Sequence, residues 1–329
     1  MNKRAWLLTS VLVMAIGLVG CKETKPHDSV MSENPSSNTI SIETTQGPIA
    51  LLSRPQRVAV FDLASIDTLE ALGIHVLGVP DKLYLPFLKK ATAGAQTVGT
   101  LFEPDLEALH RLKPDLIIVA QRSAPALKNV QKIAPAIDMT EQGTDLIHES
   151  IKRIETYGRL FHEETKAKAL VAEEKALIAR IKGKVKPQDS ALILMVNGGK
   201  LSAFGENSRF GWIHHDLGFA VLAKDLAVAP HGQPISFEYI QSLNPHWLFV
   251  LDRSAAIGRE GPAAQSVLDN ALVRSTPAWQ LGQVIYFQPG SYVALGGVTQ
   301  MREQLKAIDD ALDQAHGASE AKTTGSHSN

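Results

Sequence analysis

The chain has 329 residues, of which 44% are hydrophobic, 20% charged and 6% aromatic, values that exclude a mainly disordered or collagen-like polymer and permit a sizeable core. At about 150 residues per domain the length suggests two domains. Lys plus Arg total 33 against 34 Asp plus Glu, a formal charge of −1, so no global basic field gathers nucleic acid and any anion site must be built from locally placed cations.

In chain order, Lys3 and Arg4 precede an apolar run from Ala5 to Val19 that only Thr9 and Ser10 interrupt. At about 15 residues the run is short for a bilayer span and suits the core of an export signal. It ends in Leu18-Val19-Gly20-Cys21, which resembles the lipobox of bacterial lipoproteins: small residues admit the peptidase, and the thiol takes a diacylglycerol. An uncleaved anchor, or an ordinary signal with an incidental cysteine, is the alternative. The single cysteine of the chain stands where lipidation requires it, so residues 1–20 read as a signal peptide and Cys21 as the lipid attachment point. No thiol then remains to form a disulfide, and the exported fold must rest on packing. Residues 21–46, rich in Ser, Thr, Asn, Lys and Glu, read as a flexible tether, and residues 316–329 as a disordered polar tail.

Short apolar runs follow: Val58–Phe61, Val76–Val79, Leu116–Val119, Leu192–Val196, Trp247–Leu251 and Val284–Phe287. Their continuous rather than alternating hydrophobicity predicts strands covered on both faces, as in parallel sheets with helices outside. Amphipathic segments such as Ser65–Leu72, Asp105–Leu112 and Glu238–Leu243 supply those helices. From Glu163 to Lys182 the chain has no Pro or Gly and places Ala167, Leu170, Val171, Leu177, Ile178 and Ile181 largely on one face, a helix reaching about 30 Å. The organisation expected is two α/β lobes, residues 47–162 and 184–315, joined by a long α-helix at 163–183; an ordinary surface helix inside one domain is the other reading.

An internal match supports two lobes. Leu106–Val119 aligns without gaps to Phe237–Val250, with Glu107 on Glu238, Leu112 on Leu243 and Pro114 on Pro245, and an arginine follows each proline by eight residues, Arg122 and Arg253. Ligands of open parallel sheets gather beyond the carboxyl ends of the strands, so each lobe would aim one guanidinium at the cleft. Arg209 lies in a third loop, Gly205–Gly211. Any one loop arginine reads as a solvated surface charge, but a pair at equivalent positions points to a shared anionic ligand, for which a permanently charged five-donor group is suited. His231 and Tyr292 sit in Pro- and Gly-containing loops and, taken alone, read equally as packing residues. The adjacent His214 and His215 point in different directions on a helix and make a poor metal grip. No G-x-G-x-x-G loop, Walker loop, His-Glu-x-x-His pair or G-x-S-x-G elbow is present.

The lipobox, Val58–Gly73, Leu112–Ile118, Ser208–Gly211 and Asp252-Arg253 together resemble the lipid-anchored ferric-siderophore-binding proteins of bacterial ABC importers, the CeuE/FatB-like group that takes catecholate siderophores. The resemblance covers most of the chain. It implies a class III periplasmic substrate-binding fold of the helical-backbone type, and a lipid-anchored periplasmic monomer without catalytic residues, cofactor or nucleic-acid partner. It also implies that Arg122, Arg209 and Arg253 form a basic triad beneath the siderophore. A ferric tris-catecholate carries three net negative charges, and each pair at 4 Å is worth about 4 kcal/mol at an effective dielectric near 20, before desolvation is subtracted. His231 and Tyr292 match positions that bind iron directly when a siderophore brings only two catechols and leaves two octahedral vacancies. Glu107 and Glu238 match acidic residues shown to the ABC permease, one per lobe; as residues alone they are first-turn glutamates favoured by the helix dipole, worth about 0.3–1 kcal/mol. Haem, a cobamide or a hydroxamate siderophore is the alternative ligand, and a lipid-anchored enzyme using Tyr292 or His231 as acid or base the alternative class.

Overall fold

The computed structural model describes residues 39–83, 85–141 and 145–325, with side chains of the last helix described to residue 317. The expected signal peptide and Cys21 lie outside the described residues.

The first lobe is built on five short strands in the spatial order Gln96–Thr97, Gly78–Val79, Val58–Val60, Leu116–Val119 and Ala136–Asp138, all parallel. Val58–Val60 and Leu116–Val119 are buried at every position, which is why their sequences carry no polar alternation. The second lobe has the order Gln233–Ile235, Lys200–Phe204, Ser190–Asn197, Trp247–Asp252 and Val284–Tyr286, with Ala220–Val221 also pairing Ser190–Asn197. Its Lys200–Phe204 and Gln233–Ile235 strands are antiparallel to their neighbours, and the rest are parallel.

The internal match is realised in three dimensions. Helices Leu106–Leu112 and Phe237–Leu243 are each N-capped by a side chain, Asp105 and Ser236. Each ends on a left-handed residue, Lys113 with φ 51° and Asn244 with φ 49°. The proline that follows blocks continuation, and the chain enters the next buried strand, Leu116–Val119 or Trp247–Asp252.

The lobes are joined by the continuous 21-residue helix Glu164–Lys184, which buries Ala167, Val171, Glu174 and Ile181. The C-terminal helix Val298–Gly325 crosses back to pack on this connecting helix and on Leu63–Leu72 of the first lobe. Met301, Leu305, Ile308 and Leu312 of that helix are fully buried in a core continuous between both lobes. Ion pairs knit the two long helices together: Lys184 with Asp309 at 2.7 Å and Asp313 at 2.5 Å, Arg180 with Asp309, and Arg302 with Glu173 at 2.7 Å. Asp67 of the first lobe accepts the Gln300 N–H at 2.9 Å near the start of the C-terminal helix.

Two expected boundaries are corrected. The tether does not run to residue 46, because Thr39–Thr44 forms a strand antiparallel to Gly47–Leu52. Its Ile40 and Ile42 alternate with polar residues, and Ile42 is fully buried, a period of two in an otherwise tether-like composition. The tail beyond residue 316 is helical to Gly325 rather than disordered. Its Ala, Glu and Lys content suits extension of a helix already nucleated upstream, which is far easier than starting a new one.

Candidate functional site

Tyr292 is the centre of the site. It lies 5% exposed in the short helix Gly290–Val293, where the neighbouring Ser291 hydroxyl donates to Gln304 at 2.9 Å and accepts from Gln300 at 3.1 Å. These buried bonds tie the Tyr292 helix to the C-terminal helix and fix the ring between the lobes.

Three guanidinium groups surround that ring. The Cζ atoms of Arg122, Arg209 and Arg253 each stand 5.5 Å from its centroid. Arg122 follows strand Leu116–Val119 through Gln121, whose φ of 43° turns the chain sharply and whose N–H donates to the Thr140 hydroxyl at 2.6 Å. Its Nη2 lies 3.4 Å from the Tyr292 carbonyl oxygen. Arg209 is held by its neighbour Phe210, a fully buried ring packed edge-on to Phe204 and against Phe287; the Arg209 guanidinium also covers the Phe210 ring at 5.2 Å. Its Nη2 donates to the Tyr292 carbonyl at 3.0 Å. Arg253 opens a short helix capped by Asp252, whose carboxylate accepts from Ala255 N–H at 3.0 Å and Ala264 N–H at 2.9 Å. Its Nε donates to the Tyr292 hydroxyl at 2.9 Å and its Nη1 to Asn197 at 3.3 Å.

His231 completes the cluster. Its Nδ1 is 3.4 Å from the Tyr292 hydroxyl. Gly232, at φ +71°, lets the loop lie against strand Lys200–Phe204, where the Ser202 hydroxyl donates to the His231 carbonyl at 2.6 Å. Desolvation, then the positive fields of Arg253, Arg209 and Arg122, lower the imidazole pKa and so favour the neutral ring.

The electrostatics leave the cluster short of negative charge. Burial, followed by repulsion from Arg122, brings the Arg209 pKa down to about 10, and Glu141 only partly offsets this. Glu141 is already engaged with buried Arg153 at 2.5 Å. The Arg209 Nε is buried with no hydrogen-bond partner among the described residues. A small crevice lies here, walled by Asp62, Ala120 and Arg122 of the first lobe and by Arg209 and Tyr292 of the second. Such an arrangement can receive an anion with hydrogen-bond acceptors. His231 and Tyr292 are a two-ligand set, too few to saturate an octahedral ferric ion, and among the described residues no group of three or more His, Cys, Asp or Glu is placed to hold a metal.

Five of the residues singled out in the sequence therefore converge. Glu107 and Glu238 stand elsewhere, exposed in the first turns of the matched helices, and no hydrogen bond or ion pair joins either to the arginines among the described residues. His214 and His215 diverge as expected, to the Phe219 and Glu206 carbonyls. Sequence reasoning missed Asn197, whose signal was a turn-forming Asn-Gly-Gly at a strand end. It also missed Arg153 and Glu141, because an arginine on an amphipathic helix reads as solvated.

A family model for periplasmic binding proteins matches residues 58–289. The chain is 33% identical to the petrobactin-binding protein YclQ of Bacillus subtilis, over 95% of this chain and 100% of that one. It is 30% identical to the ferric-anguibactin-binding protein FatB of Vibrio anguillarum, over 90% and 93%. The crystal structure of YclQ superposes with a TM-score of 0.77, covering 83% of this chain and 98% of that one at 35% identity. That of the periplasmic catecholate-siderophore binding protein VctP of Vibrio cholerae gives 0.76, with 83% and 99% covered at 28% identity. By the extent of the family match and of these full-length similarities, the chain belongs to the periplasmic binding protein family.

Proposed function

We propose that this protein captures a ferric catecholate siderophore in the cleft between its lobes and delivers it to an ABC permease for iron uptake, without catalysing a reaction. The observation that carries the reading is the ring of Arg122, Arg209 and Arg253 around Tyr292, equidistant from its centre and drawn from both lobes. Three partly buried cations against a shortage of carboxylates match a trianionic ligand in charge and in acceptor number. Ferric anguibactin as the ligand of FatB and a catecholate siderophore as that of VctP support a ferric-siderophore ligand.

His231 and Tyr292 complete the iron coordination when the siderophore supplies two catechols. Glu107 and Glu238 present one carboxylate per lobe to the permease, and Cys21 carries the lipid that holds the protein to the membrane on the periplasmic side. The test is a titration of the delipidated protein with ferric bis- and tris-catecholates, a ferric hydroxamate and haem, followed by tryptophan fluorescence. Saturable quenching by the catecholates, with no turnover of the bound ligand, is the expected result. Tight binding of haem or the hydroxamate alone would overturn the ligand class.

A further inference from the structure

The C-terminal helix Val298–Gly325 has no side chain of its own at its cap position. Gly297 stands there, its carbonyl accepting the Met301 N–H at 2.8 Å, and a Cβ on it would lie 2.5 Å from the Asp67 carboxylate. Asp67 takes the place of the missing cap from helix Leu63–Leu72 of the first lobe. It is 1% exposed, accepts the Gln300 N–H at 2.9 Å, and accepts also from the Thr299 N–H and hydroxyl. Gln300, equally buried, carries the contact onward. Its side-chain oxygen accepts the Gly296 N–H at 3.0 Å, and its nitrogen donates to the Ser291 hydroxyl at 3.1 Å. The carbonyls of Ser291 and Tyr292 in turn receive Arg209, at 3.4 and 3.0 Å. A carboxylate outside the arginine cluster is thereby joined to Tyr292 by an unbroken run of buried bonds.

We propose that Asp67, Gln300 and Ser291 are positioning residues for Tyr292: the ionised Asp67 carboxylate of the first lobe holds the helix start that holds the phenol ring in place. The consequence for ligand affinity rests on the ferric-catecholate reading; the placing of the ring does not. Ionisation matters because the carboxylate offers acceptors to all three donors and puts negative charge at a helix N-terminus. A protonated carboxyl turns an O–H toward those donors instead. Burial pushes the Asp67 pKa up to about 6, against the opposing bonds from Thr299 and Gln300, and Glu303 of the C-terminal helix raises it further. The buried titratable groups on helix Leu146–Phe161, which also packs on Leu63–Leu72, are engaged elsewhere: Arg153 with Glu141 at 2.5 Å and Tyr157 with Ser65 at 2.7 Å. On helix Leu88–Ala91, Lys89 is exposed and Lys90 pairs with Glu70 at 3.5 Å. The relay is therefore tight above pH 6 and slackens below it.

The experiment titrates wild type and Asp67→Asn with a ferric bis-catecholate across the acid-to-neutral range, and follows Tyr292 in the ligand-free proteins by NMR of labelled tyrosine, assigned through Tyr292→Phe. Asn keeps the shape of the cap and cannot ionise. Protonation of the ligand and of His231 acts on both proteins alike, so the ratio of their affinities isolates Asp67. Wild type is expected to bind about fivefold more tightly at about pH 8, the worth of a carboxylate at a helix N-terminus, and equally at about pH 5. Its Tyr292 resonance should carry a transition near pH 6 that Asp67→Asn lacks. Ser291→Ala cuts the relay beyond Asp67. Tyr292 should then lose the transition, while the decline in stability that the raised Asp67 pKa imposes as pH rises through 6 remains. An affinity ratio constant with pH, a wild-type Tyr292 resonance without the transition, or a transition that persists in Asp67→Asn or Ser291→Ala would each overturn the relay and leave the catecholate reading standing. Failure of every ferric catecholate to bind the wild type would overturn that reading, and the Tyr292 resonance would then decide the relay alone.

Discussion

Arg253 Nε donates to the Tyr292 hydroxyl at 2.9 Å. The bond fixes the position of the phenol oxygen, the atom proposed to fill a vacancy on Fe(III). Tyr292→Phe keeps the ring that the guanidinium groups cover and the backbone carbonyl that accepts from Arg209, and removes only the hydroxyl. Affinity for a ferric bis-catecholate should fall at least about tenfold, ~1.4 kcal/mol, and affinity for a tris-catecholate much less. The visible phenolate-to-iron band of the bis-catecholate complex should vanish with it. Equal losses for the two ligands would exclude Tyr292 from a coordination vacancy.

Replacing Arg122, Arg209 and Arg253 together with Gln tests charge balance. Each charge-assisted hydrogen bond contributes about 1.5–3 kcal/mol, so a loss of at least about a thousandfold in ferric tris-catecholate affinity is expected. Folding should survive, because the variant relieves the burial and the repulsion that depress the Arg209 pKa. An unfolded variant would show that the arginines hold the lobes together; a folded one with wild-type affinity would end the charge-balance account.

The paired lobes were legible in the sequence because the helix–turn–strand unit repeats with its glutamate, its leucine, its proline and its trailing arginine. The buried strands Leu116–Val119 and Trp247–Asp252 were legible as continuous apolar runs. The strands Lys200–Phe204 and Gln233–Ile235 were not: the first has a polar serine within it and the second a proline. The support behind the arginines was hidden too. Arg153 sits on a strongly amphipathic helix, and only the tertiary fold reveals that its guanidinium is buried against Glu141 and the Gly296 carbonyl.

Glu174 is expected to make the joint between the lobes sensitive to pH. It is buried in the middle of the connecting helix, accepts from the Ser150 hydroxyl at 3.3 Å, and has one carboxylate oxygen unpartnered among the described residues. Burial pushes its pKa up to about 7, against smaller opposing effects of Ser150, Arg153, Arg302 and Lys175. A raised folded-state pKa means that the native protein holds this proton more tightly than the unfolded chain does. The stability it contributes is complete below pH ~4.5 and is lost as pH rises toward 7. Glu174→Gln should remove that loss and unfold at higher denaturant concentration than the wild type at pH 8, by on the order of 3 kcal/mol, with little difference at pH 4.5. A difference independent of pH would show that Glu174 does not titrate in this range.

For Glu107 and Glu238, transport and binding should separate. Glu107 has a side chain 91% exposed, and its only ion pair among the described residues, to Arg111 at 3.8 Å, contributes little. Double reversal to Lys is therefore expected to leave ferric tris-catecholate affinity within about twofold, since neither residue bonds the three arginines, and to abolish iron uptake in cells that depend on this protein. Retained uptake would remove both residues from the permease interface.

Gly232 ties the backbone of the His231 loop to its chemistry. Its φ of +71° is a region that L side chains rarely adopt, and a Cβ there would come 2.7 Å from the Ala203 carbonyl oxygen. Gly232→Ala should cost about 1–3 kcal/mol in strain, or be relieved by moving the loop off strand Lys200–Phe204 and breaking the bond from Ser202 to the His231 carbonyl. The second response shifts the imidazole away from Tyr292. The variant is expected to match His231→Ala in its affinity for a ferric bis-catecholate and the wild type in its affinity for a tris-catecholate, whose six oxygens leave no vacancy for the ring. If Gly232→Ala lowers the melting temperature and leaves both affinities at the wild-type level, the loop does not deliver His231 to the iron.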